Sequence, residues 1–338
     1  MEQFQVSVII PVYNAEKFVP QAVESALAQP ETAEVLLVED HSPDDSLRVC
    51  EELAGKYPAV KLHRHENGEN RGAAASRNLG IRKAGFPYVS FLDADDYYLP
   101  GRFAKTKDIF LNNEGVDGVY EAIGATFEDE EVKKFFTSVG LREITTIKRE
   151  VAPGELFGSL LGCTNGYFHF NGFTARRGLF SKVSFFDEDV ESIGPHEDTM
   201  LMYKLSAKAS LFPGNLTQPV AVRRVHQENR ITYRLGEKRK TYEAMLDFWK
   251  MLLAWGEVNL TKEQMVQLEH RVILHLRGID SFEEATWADF CLSRVRMFQL
   301  AIQKPDLFTE YLFWRRLVPS RDLVNSRIGK WKKAATYE

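Results

Sequence analysis

Apolar segments typical of buried strands alternate with amphipathic segments typical of helices between residues 6 and 100. Apolar runs lie at 6–12, at 34–38, at 60–63 and from Tyr88 onward. Apolar residues recur at helical spacing from Ala15 to Leu27, and an alanine-rich helix is predicted from Ala73 to Ala84. This alternation predicts βαβ units and therefore a parallel, doubly wound α/β sheet.

The start of the first helix is predicted from two residues. Asn14 directly follows the first predicted strand, and asparagine is a favourable helix N-cap, so Asn14 is the candidate cap. Proline would cost about 3 kcal/mol in a helix interior. The regular helix is therefore expected to begin just before Pro20.

Later segments are predicted to extend the sheet and then to become helical. We expect a strand over 118–127, a charged and irregular insertion over 128–150 that covers the functional face, and a short strand over 171–175. From Gly236 the pattern is helical, and Thr261 to Gln264 resembles a capping box. The predicted domains are residues 1–235 and a helical C-terminal region, 236–338.

Composition limits the class of protein. The chain has 338 residues, of which 44% are hydrophobic and 27% charged, as expected of a globular protein with a large core. The net charge of -5 argues against nucleic acid as the main partner. Cys50, Cys163 and Cys291 lack metal-ligand spacing and indicate a reducing compartment. The apolar run at 6–12 is too short for a signal peptide or a membrane span, so we expect a cytoplasmic protein, at most peripheral to a membrane.

An apolar run that ends in carboxylates is the main candidate for chemistry. Residues 88–92 are followed by Asp93, Asp95 and Asp96, and isolated carboxylates cost several kcal/mol to bury. Asp93 and Asp95 would point the same way in an extended chain. Oxygen ligands at that spacing suit Mg²⁺ or Mn²⁺, with phosphate oxygens as further ligands. A solvated acidic turn before a helix at Pro100 is the alternative interpretation.

Polar residues follow three of the predicted strands. They are Tyr13 and Asn14, then Glu39 and Asp40, then the aspartates from Asp93. Ligands of parallel α/β sheets bind beyond the carboxyl ends of the strands, so convergence of these residues favours a binding site. The first strand is not followed by a G-x-G-x-x-G turn, and no G-x-x-x-x-G-K-[ST] motif occurs. A dinucleotide cofactor or a P-loop is therefore not expected.

Taken in order, four motifs resemble those of the family 2 inverting glycosyltransferases. They are the segments 7–14, 39–46, 70–78 and 93–96, and the segments 186–188 and 197–198 match the second half of the domain. The resemblance covers residues 5 to 230. It implies the A-type glycosyltransferase fold, a Rossmann-like nucleotide-binding α/β sheet with Mn²⁺ or Mg²⁺ at an aspartate motif. We expect a C-terminal helical subdomain to follow it.

The resemblance also implies roles for individual residues. Those implied to contact the nucleotide are Pro11, Val12, Tyr13, Asp40, Asn70, Arg77, Asp93, Ala94 and Arg224. Asp95 and His226 would bind the metal ion. Asp198 resembles the general base, and Glu197 would help to place it or the donor sugar.

The implied activity is transfer of a sugar from a nucleoside diphosphate donor, with a UDP-sugar expected, to a glycan or lipid-linked acceptor of cell-surface polysaccharide biosynthesis. The acceptor hydroxyl would attack the anomeric carbon opposite the leaving diphosphate, and a carboxylate would take its proton. A metal ion with Arg77, Arg224 or His226 would stabilise the leaving group.

Two other functions remain open. A nucleotidyltransferase also joins such a sheet to carboxylate-bound Mg²⁺, but Glu197-Asp198 and the lack of a glycine-rich loop after the first strand argue against it. A nucleotide-sugar-binding module without turnover would be expected to lack a carboxylate or the base, and none is missing.

Several positions differ from the family pattern or have a structural alternative. Glu39 stands where aspartate is usual, Lys204 where arginine is usual, and Ser184 where glycine is common. Asp198 could act only as a helix cap, and His226 could be only hydrogen-bonded structure.

The chain also contains basic and aromatic segments whose role the sequence leaves open. Arginines and lysines are dense from Arg223 to Lys240, and most such runs are solvated faces. Residues 313–317 and 330–333 mix aromatic and basic residues. They suit either a membrane interface or packing within a helical subdomain or dimer, of which we favour packing.

Overall fold

The computed structural model describes residues 3–138, 142–189, 197–226 and 238–277, together with 294–295, 298–299 and 302. The chain divides into two compact units, Met1–Ala244 and Met245–Glu338, and each is described by itself. The domain boundary after residue 235 stays a prediction. The aromatic and basic segments at 313–317 and 330–333 lie outside the described residues.

Eleven strands and ten helices are described. The strands are β1 (Val6–Val12), β2 (Thr32–Glu39), β3 (Val60–Arg64), β4 (Tyr88–Phe91), β5 (Tyr97–Tyr98), β6 (Gly118–Tyr120), β7 (Ile123–Phe127), β8 (Ile144–Thr145), β9 (Phe173–Arg176), β10 (Leu211–Pro213) and β11 (Ala221–Val225). The helices are α1 (Val19–Leu27), α2 (Ser46–Lys56), α3 (Gly72–Lys83), α4 (Ala104–Asn112), α5 (Glu130–Ser138), α6 (Leu156–Leu161), α7 (Gly178–Lys182), α8 (Glu197–Lys208), α9 (Lys238–Asn259) and α10 (Lys262–Arg277).

A seven-stranded sheet with the order β10-β6-β9-β4-β1-β2-β3 forms the centre of the first unit. Strand β1 runs parallel to β2 and to β4, and β2 runs parallel to β3. Strand β9 is antiparallel to both β4 and β6. Because β1, β2 and β4 are parallel, their carboxyl ends lie at one edge of the sheet. The predicted α/β class is confirmed.

The first helix begins just before Pro20, as predicted, but Asn14 does not cap it. Asn14 has a φ of 51°, in the left-handed region, and its N–H donates to Ser42 Oγ at 3.2 Å. The next N–H, that of Ala15, donates to Ser46 Oγ at 2.9 Å. The N-cap prediction was wrong because side chains of the next loop satisfy this turn.

The strand predicted over 118–127 is two strands in different sheets. Strand β6 pairs with β9 and β10 in the large sheet, whereas β7 belongs to a four-stranded sheet of order β5-β11-β7-β8. The chain changes sheets at Glu121, a buried residue whose carboxylate accepts a hydrogen bond from Arg102 Nη1 at 2.9 Å. The predicted strand at 171–175 begins later, at Phe173, after a turn of 3₁₀ helix.

The insertion over 128–150 is more regular than predicted. It contains α5 and β8, and Val132 and Phe136 on α5 form a small core with Val225 of β11. The rings of Phe127 and Phe136 meet edge to face with centroids 5.2 Å apart. The prediction was wrong for residues 130–138 because only two fully buried apolar positions, spaced i and i+4, mark this charged helix.

The second unit contains most of α9 together with α10. Phe248 and Trp249 of α9 are fully buried, and their rings pack edge to face. The capping box is confirmed, since Thr261 N donates to Gln264 Oε1 at 3.1 Å and Gln264 N donates to Thr261 Oγ1 at 3.2 Å. Among the described residues, no helix has the length and apolar character needed to span a membrane. The cytoplasmic location stays a prediction.

Helix α3 is held close to the large sheet at two points. A Cβ atom on Gly80 would lie 2.3 Å from Ile9 Cγ2, so only glycine allows α3 to approach β1 this closely. At the start of the helix, the carboxylate of Asp40 accepts the N–H groups of Arg71 at 2.7 Å and Gly72 at 2.8 Å. These contacts fix the helix relative to the ends of β1 and β2.

Arg102 and Glu121 form a fully buried ion pair in the first unit. Arg102 Nη1 lies 2.9 Å from Glu121 Oε2, and both side chains are 0% exposed. Arg102 Nη2 also donates to Ser90 Oγ and Thr174 Oγ1 at 3.2 Å. Thr106 donates to the same Glu121 oxygen at 2.7 Å. The network therefore satisfies the buried charges and ties β4 to β9.

We expect Glu121→Gln to lower the free energy of unfolding by about 3–5 kcal/mol, because Arg102 loses its charged partner in a buried site. Glu143→Gln is the control, since Glu143 pairs with Lys133 at 2.8 Å with side chains 56% and 39% exposed. An exposed pair contributes less than about 1 kcal/mol. Urea denaturation measures both variants. Equal losses would contradict the structural role of the buried pair.

Candidate active site

The candidate site is built at the shared carboxyl edge of β1, β2 and β4. The carbonyl of Val12, at the end of β1, accepts the N–H of Asp40 at 2.9 Å, and Asp40 directly follows β2. Asn70 Nδ2 donates to the carbonyl of Asp40 at 2.8 Å. The predicted convergence of these strand ends is therefore present in the structure.

Arg77, on α3, brings together residues from three parts of the chain. Its Nη2 lies 2.8 Å from Asp93 Oδ1, and its Nη1 lies 3.4 Å from Glu197 Oε1 and 3.1 Å from Asp198 Oδ1. Burial would lower the pKa of Arg77, but the charges of the three carboxylates outweigh burial and raise it. The guanidinium is therefore a permanent positive charge that links the strand-end motif to the start of α8.

Asp93 is held ionised by its surroundings. Burial would raise the pKa of Asp93, but the charge of Arg77 and the hydrogen bond that it donates hold that pKa below its usual value. The N–H of Asp93 donates to Asn171 Oδ1 at 3.1 Å. One carboxylate of the strand-end motif is therefore available as a charged acceptor.

Asp96 differs from Asp93 although it is three residues away. Its Oδ2 accepts a hydrogen bond from Asn171 Nδ2 at 2.5 Å, and its Oδ1 accepts the N–H of Arg224 at 2.8 Å. Burial, and then the charges of Asp95 and Asp93, raise the pKa of Asp96 well above its usual range. Asp96 therefore holds a proton more readily than Asp93, and it joins the acidic motif to β11.

His169 faces Asp93 from the segment before β9. Its Nε2 lies 4.0 Å from Asp93 Oδ2, and its Nδ1 accepts the N–H of Asn171 at 3.2 Å. Burial is the main cause that lowers the pKa of His169 to about 4. The ring is therefore neutral at neutral pH, and the hydrogen bond to Nδ1 leaves the proton on Nε2.

Asp95 and His226 form the candidate metal site. His226 Nε2 lies 3.4 Å from Asp95 Oδ2, and both side chains are partly exposed. The imidazole stacks on Phe18 with ring centroids 5.5 Å apart. A carboxylate and an imidazole at this separation fit Mn²⁺ or Mg²⁺ when phosphate oxygens and water complete the coordination. Within the described ranges, no group of three or more His, Cys, Asp or Glu side chains is arranged to hold a metal.

Arg224 supports this candidate metal site from β11. Its Nη1 donates to the backbone carbonyl of Asp95 at 2.7 Å, and its Nη2 donates to Gln21 Oε1. The guanidinium lies 5.3 Å from the centroid of Phe18 and 5.1 Å from that of Tyr97. Arg224 therefore fixes the backbone that carries Asp95 and keeps a positive charge beside it.

The other residues predicted to contact a nucleotide differ in exposure. Tyr13 is 54% exposed, Pro11 is half-buried, and Asn70 is exposed. Val12 and Ala94 are buried in the core of the first unit. The side chains of Val12 and Ala94 therefore pack inward. Contact of these residues with a nucleotide stays a prediction.

Two of the departures from the family pattern have clear partners. Glu39 accepts the N–H of Ser42 at 2.6 Å and a hydrogen bond from Arg64 Nε at 2.8 Å. Lys204 Nζ lies 2.8 Å and 2.7 Å from the two carboxylate oxygens of Asp187. The ammonium group is centred between both oxygens, so lysine contacts the whole carboxylate at this position.

Asn78 holds the turn that contains Phe186 and Glu188. Its Oδ1 accepts the N–H of Phe186 at 2.9 Å, and its Nδ2 donates to the Phe186 carbonyl at 2.9 Å and to Glu188 Oε1 at 3.0 Å. The guanidinium of Arg77 lies 5.4 Å from the Phe186 ring centroid. Adjacent residues of α3 thus contact both the turn and the carboxylates.

The sequence placed Asp96 in the acidic motif without a role of its own, and neither His169 nor Asn171 was predicted as a site residue. The signal for the last two was weak but present, because they are polar residues set among Phe168, Phe170 and Phe173 in an otherwise aromatic segment. Asn171 is fully buried and hydrogen-bonds both Asp93 and Asp96. A buried amide at that position indicates a positioning role.

Chemically, the site offers a fixed cation, an ionised carboxylate, and a carboxylate–imidazole pair suited to a metal. Asp198 adds a third carboxylate, whose side chain is 31% exposed. Such a set can bind a phosphorylated ligand and accept a proton from a hydroxyl group.

A family model described as Glycosyl transferase family 2 matches residues 7–182, more than half of the chain. The succinoglycan biosynthesis protein ExoU of Rhizobium meliloti (strain 1021) is 39% identical over 121 residues, which is 35% of this chain and 33% of ExoU. The match thus spans a third of the length of that curated relative.

Two solved structures resemble the fold. S. aureus TarS 1–349 in complex with UDP-GlcNAc has a TM-score of 0.57 and 18% identity, covering 88% of this chain and 80% of that chain. The mannosyltransferase PcManGT of Pyrobaculum calidifontis in complex with GDP-Man and Mn²⁺ has a TM-score of 0.50 and 17% identity, covering 96% and 87%. The predicted A-type glycosyltransferase fold is confirmed. This chain belongs to glycosyl transferase family 2.

Proposed function

We propose that this chain is an inverting glycosyltransferase that moves a sugar from a nucleoside diphosphate donor to a glycan or lipid-linked acceptor. One observation carries the proposal: Arg77 joins Asp93 of the strand-end motif to Asp198 of α8. A carboxylate on the nucleotide side and a candidate base thereby share one cation, near the pair of Asp95 and His226. The similarity to ExoU supports a role in cell-surface polysaccharide biosynthesis.

Asp198 is the residue that we assign as general base. It lies 3.1 Å from Arg77 Nη1 and its side chain is 31% exposed, so it is held in position yet open to an acceptor. It would take the proton of the acceptor hydroxyl while that oxygen attacks the anomeric carbon and the diphosphate leaves from the opposite face. Glu197, with a side chain 6% exposed, would hold Arg77 and thereby position Asp198.

Asp95 and His226 are the residues that we assign to hold a divalent cation, Mn²⁺ or Mg²⁺. Such a cation supplies positive charge to the leaving diphosphate when it is bound. The likeness to a mannosyltransferase solved with GDP-Man and Mn²⁺ supports this assignment. Arg224, which donates to the carbonyl of Asp95, would keep the backbone in place and add positive charge beside the diphosphate.

The nucleoside is assigned to the carboxyl ends of β1 and β2. Pro11 and Asp40 would contact the base and ribose, and Asp93 would hold the ribose or an ion-bound water. Asn70 and Arg77 would lie beside the nucleotide and its diphosphate, and Val12, Tyr13 and Ala94 would complete the nucleotide contacts. The exposed ring of Tyr13 offers a surface on which a base can stack. The likeness to TarS solved with UDP-GlcNAc supports uridine, and the GDP-Man complex makes guanosine the base to test against it.

We expect UDP to bind in the presence of Mn²⁺, and we expect EDTA or Asp95→Ala to weaken binding by about tenfold or more. The reason is that the diphosphate loses the cation held by Asp95. Calorimetric titration of UDP, with GDP in parallel, measures this.

Asp108→Ala is the matched control, because Asp108 is an exposed aspartate of α4, and it should bind UDP like the wild type. If GDP binds and UDP does not, the assigned base of the donor changes from uridine to guanosine. Failure to bind either nucleotide under any condition would contradict the proposal.

We expect Asp198→Asn to bind UDP-GlcNAc with wild-type affinity while release of UDP falls by about 10²–10⁴-fold, because an amide cannot take the proton of the attacking hydroxyl. Calorimetry measures binding, and a coupled assay of UDP release with a panel of glycans measures turnover. Asp108→Asn carries the same change at an exposed position and should leave turnover unchanged. Unchanged turnover in Asp198→Asn would show that another group is the base.

A further inference from the structure

Neighbouring arginines on β11 have side chains on opposite faces of the strand. Arg224 lies 5.3 Å from the centroid of Phe18, and the next residue but one, His226, stacks on the same ring. The guanidinium of Arg223 lies instead 5.0 Å from the centroid of Phe136, on α5 of the insertion. This follows from the alternation of side chains along a strand. The candidate metal site and Arg223 therefore lie on different sides of β11.

Arg223 is a buried cation without a hydrogen-bonding partner in the described part of the chain. The residue is 8% exposed, and its Nε and Nη2 are closed to solvent with no hydrogen-bond partner among the described residues. The third nitrogen, Nη1, is not closed off in this way. Arginine carries five N–H donors, and a buried charge is normally paired. The position is therefore unusual for a side chain with only a structural role.

The other two buried arginines of the first unit each have carboxylate partners, although Nε of Arg77 also lacks a hydrogen-bond partner among the described residues. Arg77 contacts Asp93, Glu197 and Asp198 within 3.4 Å, and Arg102 contacts Glu121 at 2.9 Å. The guanidinium of Arg223 instead lies over an aromatic ring, 5.0 Å from the centroid of Phe136. A cation–π contact compensates only part of the loss of hydration. An oxyanion at Nη1 would supply a counter-charge for this guanidinium.

The surroundings of Arg223 connect it with the candidate site. Burial is the main cause of the lowered pKa of His169, and the positive charge of Arg223 lowers that pKa further. His169 Nε2 lies 4.0 Å from Asp93 Oδ2, and Arg223 directly precedes Arg224, which donates to the carbonyl of Asp95, so Arg223 borders the candidate site. Its partner should be a group that reaches this region.

We propose that Arg223 forms an oxyanion subsite for the sugar acceptor and binds a phosphate or carboxylate group that the acceptor carries. This rests on the proposed function, which assigns the donor diphosphate to the opposite face of β11, beside Arg224 and His226. Nη1 is the guanidinium nitrogen open to a ligand, so the oxyanion would accept a charge-assisted hydrogen bond from Nη1. Acceptors that carry such a group would be held on the α5 side, and neutral acceptors would lose this contact.

The test is a titration of sn-glycerol 3-phosphate, and separately of glucuronate, into the full chain at constant ionic strength with UDP and Mn²⁺ already present. UDP fills the donor site, so the anion reports on a second site. We expect Arg223→Met, which keeps the stem against Phe136, to weaken binding of one of these anions by about tenfold or more. The anion that binds shows whether the subsite takes acceptors with a phosphate group or acceptors with a carboxylate group.

Arg149→Met is the matched control, because Arg149 is an exposed arginine of the same insertion and its loss changes the net charge equally. It should bind the anion like the wild type. If neither anion binds the wild type, or if Arg223→Met binds as well as the wild type, the proposal is overturned. Equal weakening by both variants would assign the effect to net charge and also overturn it.

Thermal unfolding gives a second readout that separates binding from structure. Without an anion, Arg223→Met should melt no lower than the wild type, because an incompletely paired buried charge has been removed. The bound anion should raise the melting temperature of the wild type and not that of Arg223→Met. A lower melting temperature of the variant, with anion binding unchanged, would assign Arg223 a structural role instead.

Two further measurements separate this proposal from misfolding of the variant and from failure of the donor assignment. Should Arg223→Met not fold, Arg223→Lys keeps the charge but not the planar fork, and its anion affinity should fall below that of the wild type. Affinity equal to the wild type would overturn the proposal. Titration of UDP alone tests the donor assignment, so loss of the anion subsite with intact UDP binding overturns this inference and leaves the proposed function standing.

Discussion

The guanidinium of Arg77 is the interaction on which the candidate site depends. Asp93 follows β4 and Asp198 belongs to α8, so their carboxylates would repel each other if no cation lay between them. Arg77 lies between these two carboxylates because Gly80 allows α3 to pack against β1 and because Asp40 accepts the N–H groups at the start of the helix. Local sequence, helix packing and site electrostatics are therefore linked through one side chain.

The acidic motif can be compact because its carboxylates differ in charge state. Asp93 is held ionised by Arg77, whereas burial and the two neighbouring aspartates favour the protonated form of Asp96. Asn171 donates to Asp96 and accepts from the backbone of Asp93, so a single amide keeps both in position. Asp95 is left with its carboxylate turned toward His226, which is the arrangement a divalent cation would need.

Much of the fold could be predicted because it depends on local pattern. The apolar runs at 6–12 and 34–38 formed β1 and β2, and the capping box from Thr261 formed as expected. The failures involve partners distant in sequence. Nothing near Asn14 shows that a loop about 30 residues away will satisfy its turn. Nothing near Glu121 shows that Arg102 will bury it and redirect the strand. The pairing of His226 with Asp95 came only from family resemblance.

The basic run after Arg223 shows why composition alone could not describe this site. In sequence, Arg223 and Arg224 are equivalent members of one charged segment. On β11 they are separated by strand geometry, so that Arg224 bonds the backbone of Asp95 while Arg223 is buried against Phe136. The two equal charges thereby have unequal surroundings: Arg224 has hydrogen-bond acceptors, whereas Nε and Nη2 of Arg223 have none among the described residues. A one-residue shift in register would exchange them, so the register of β11 on β7 decides which arginine faces the candidate metal site.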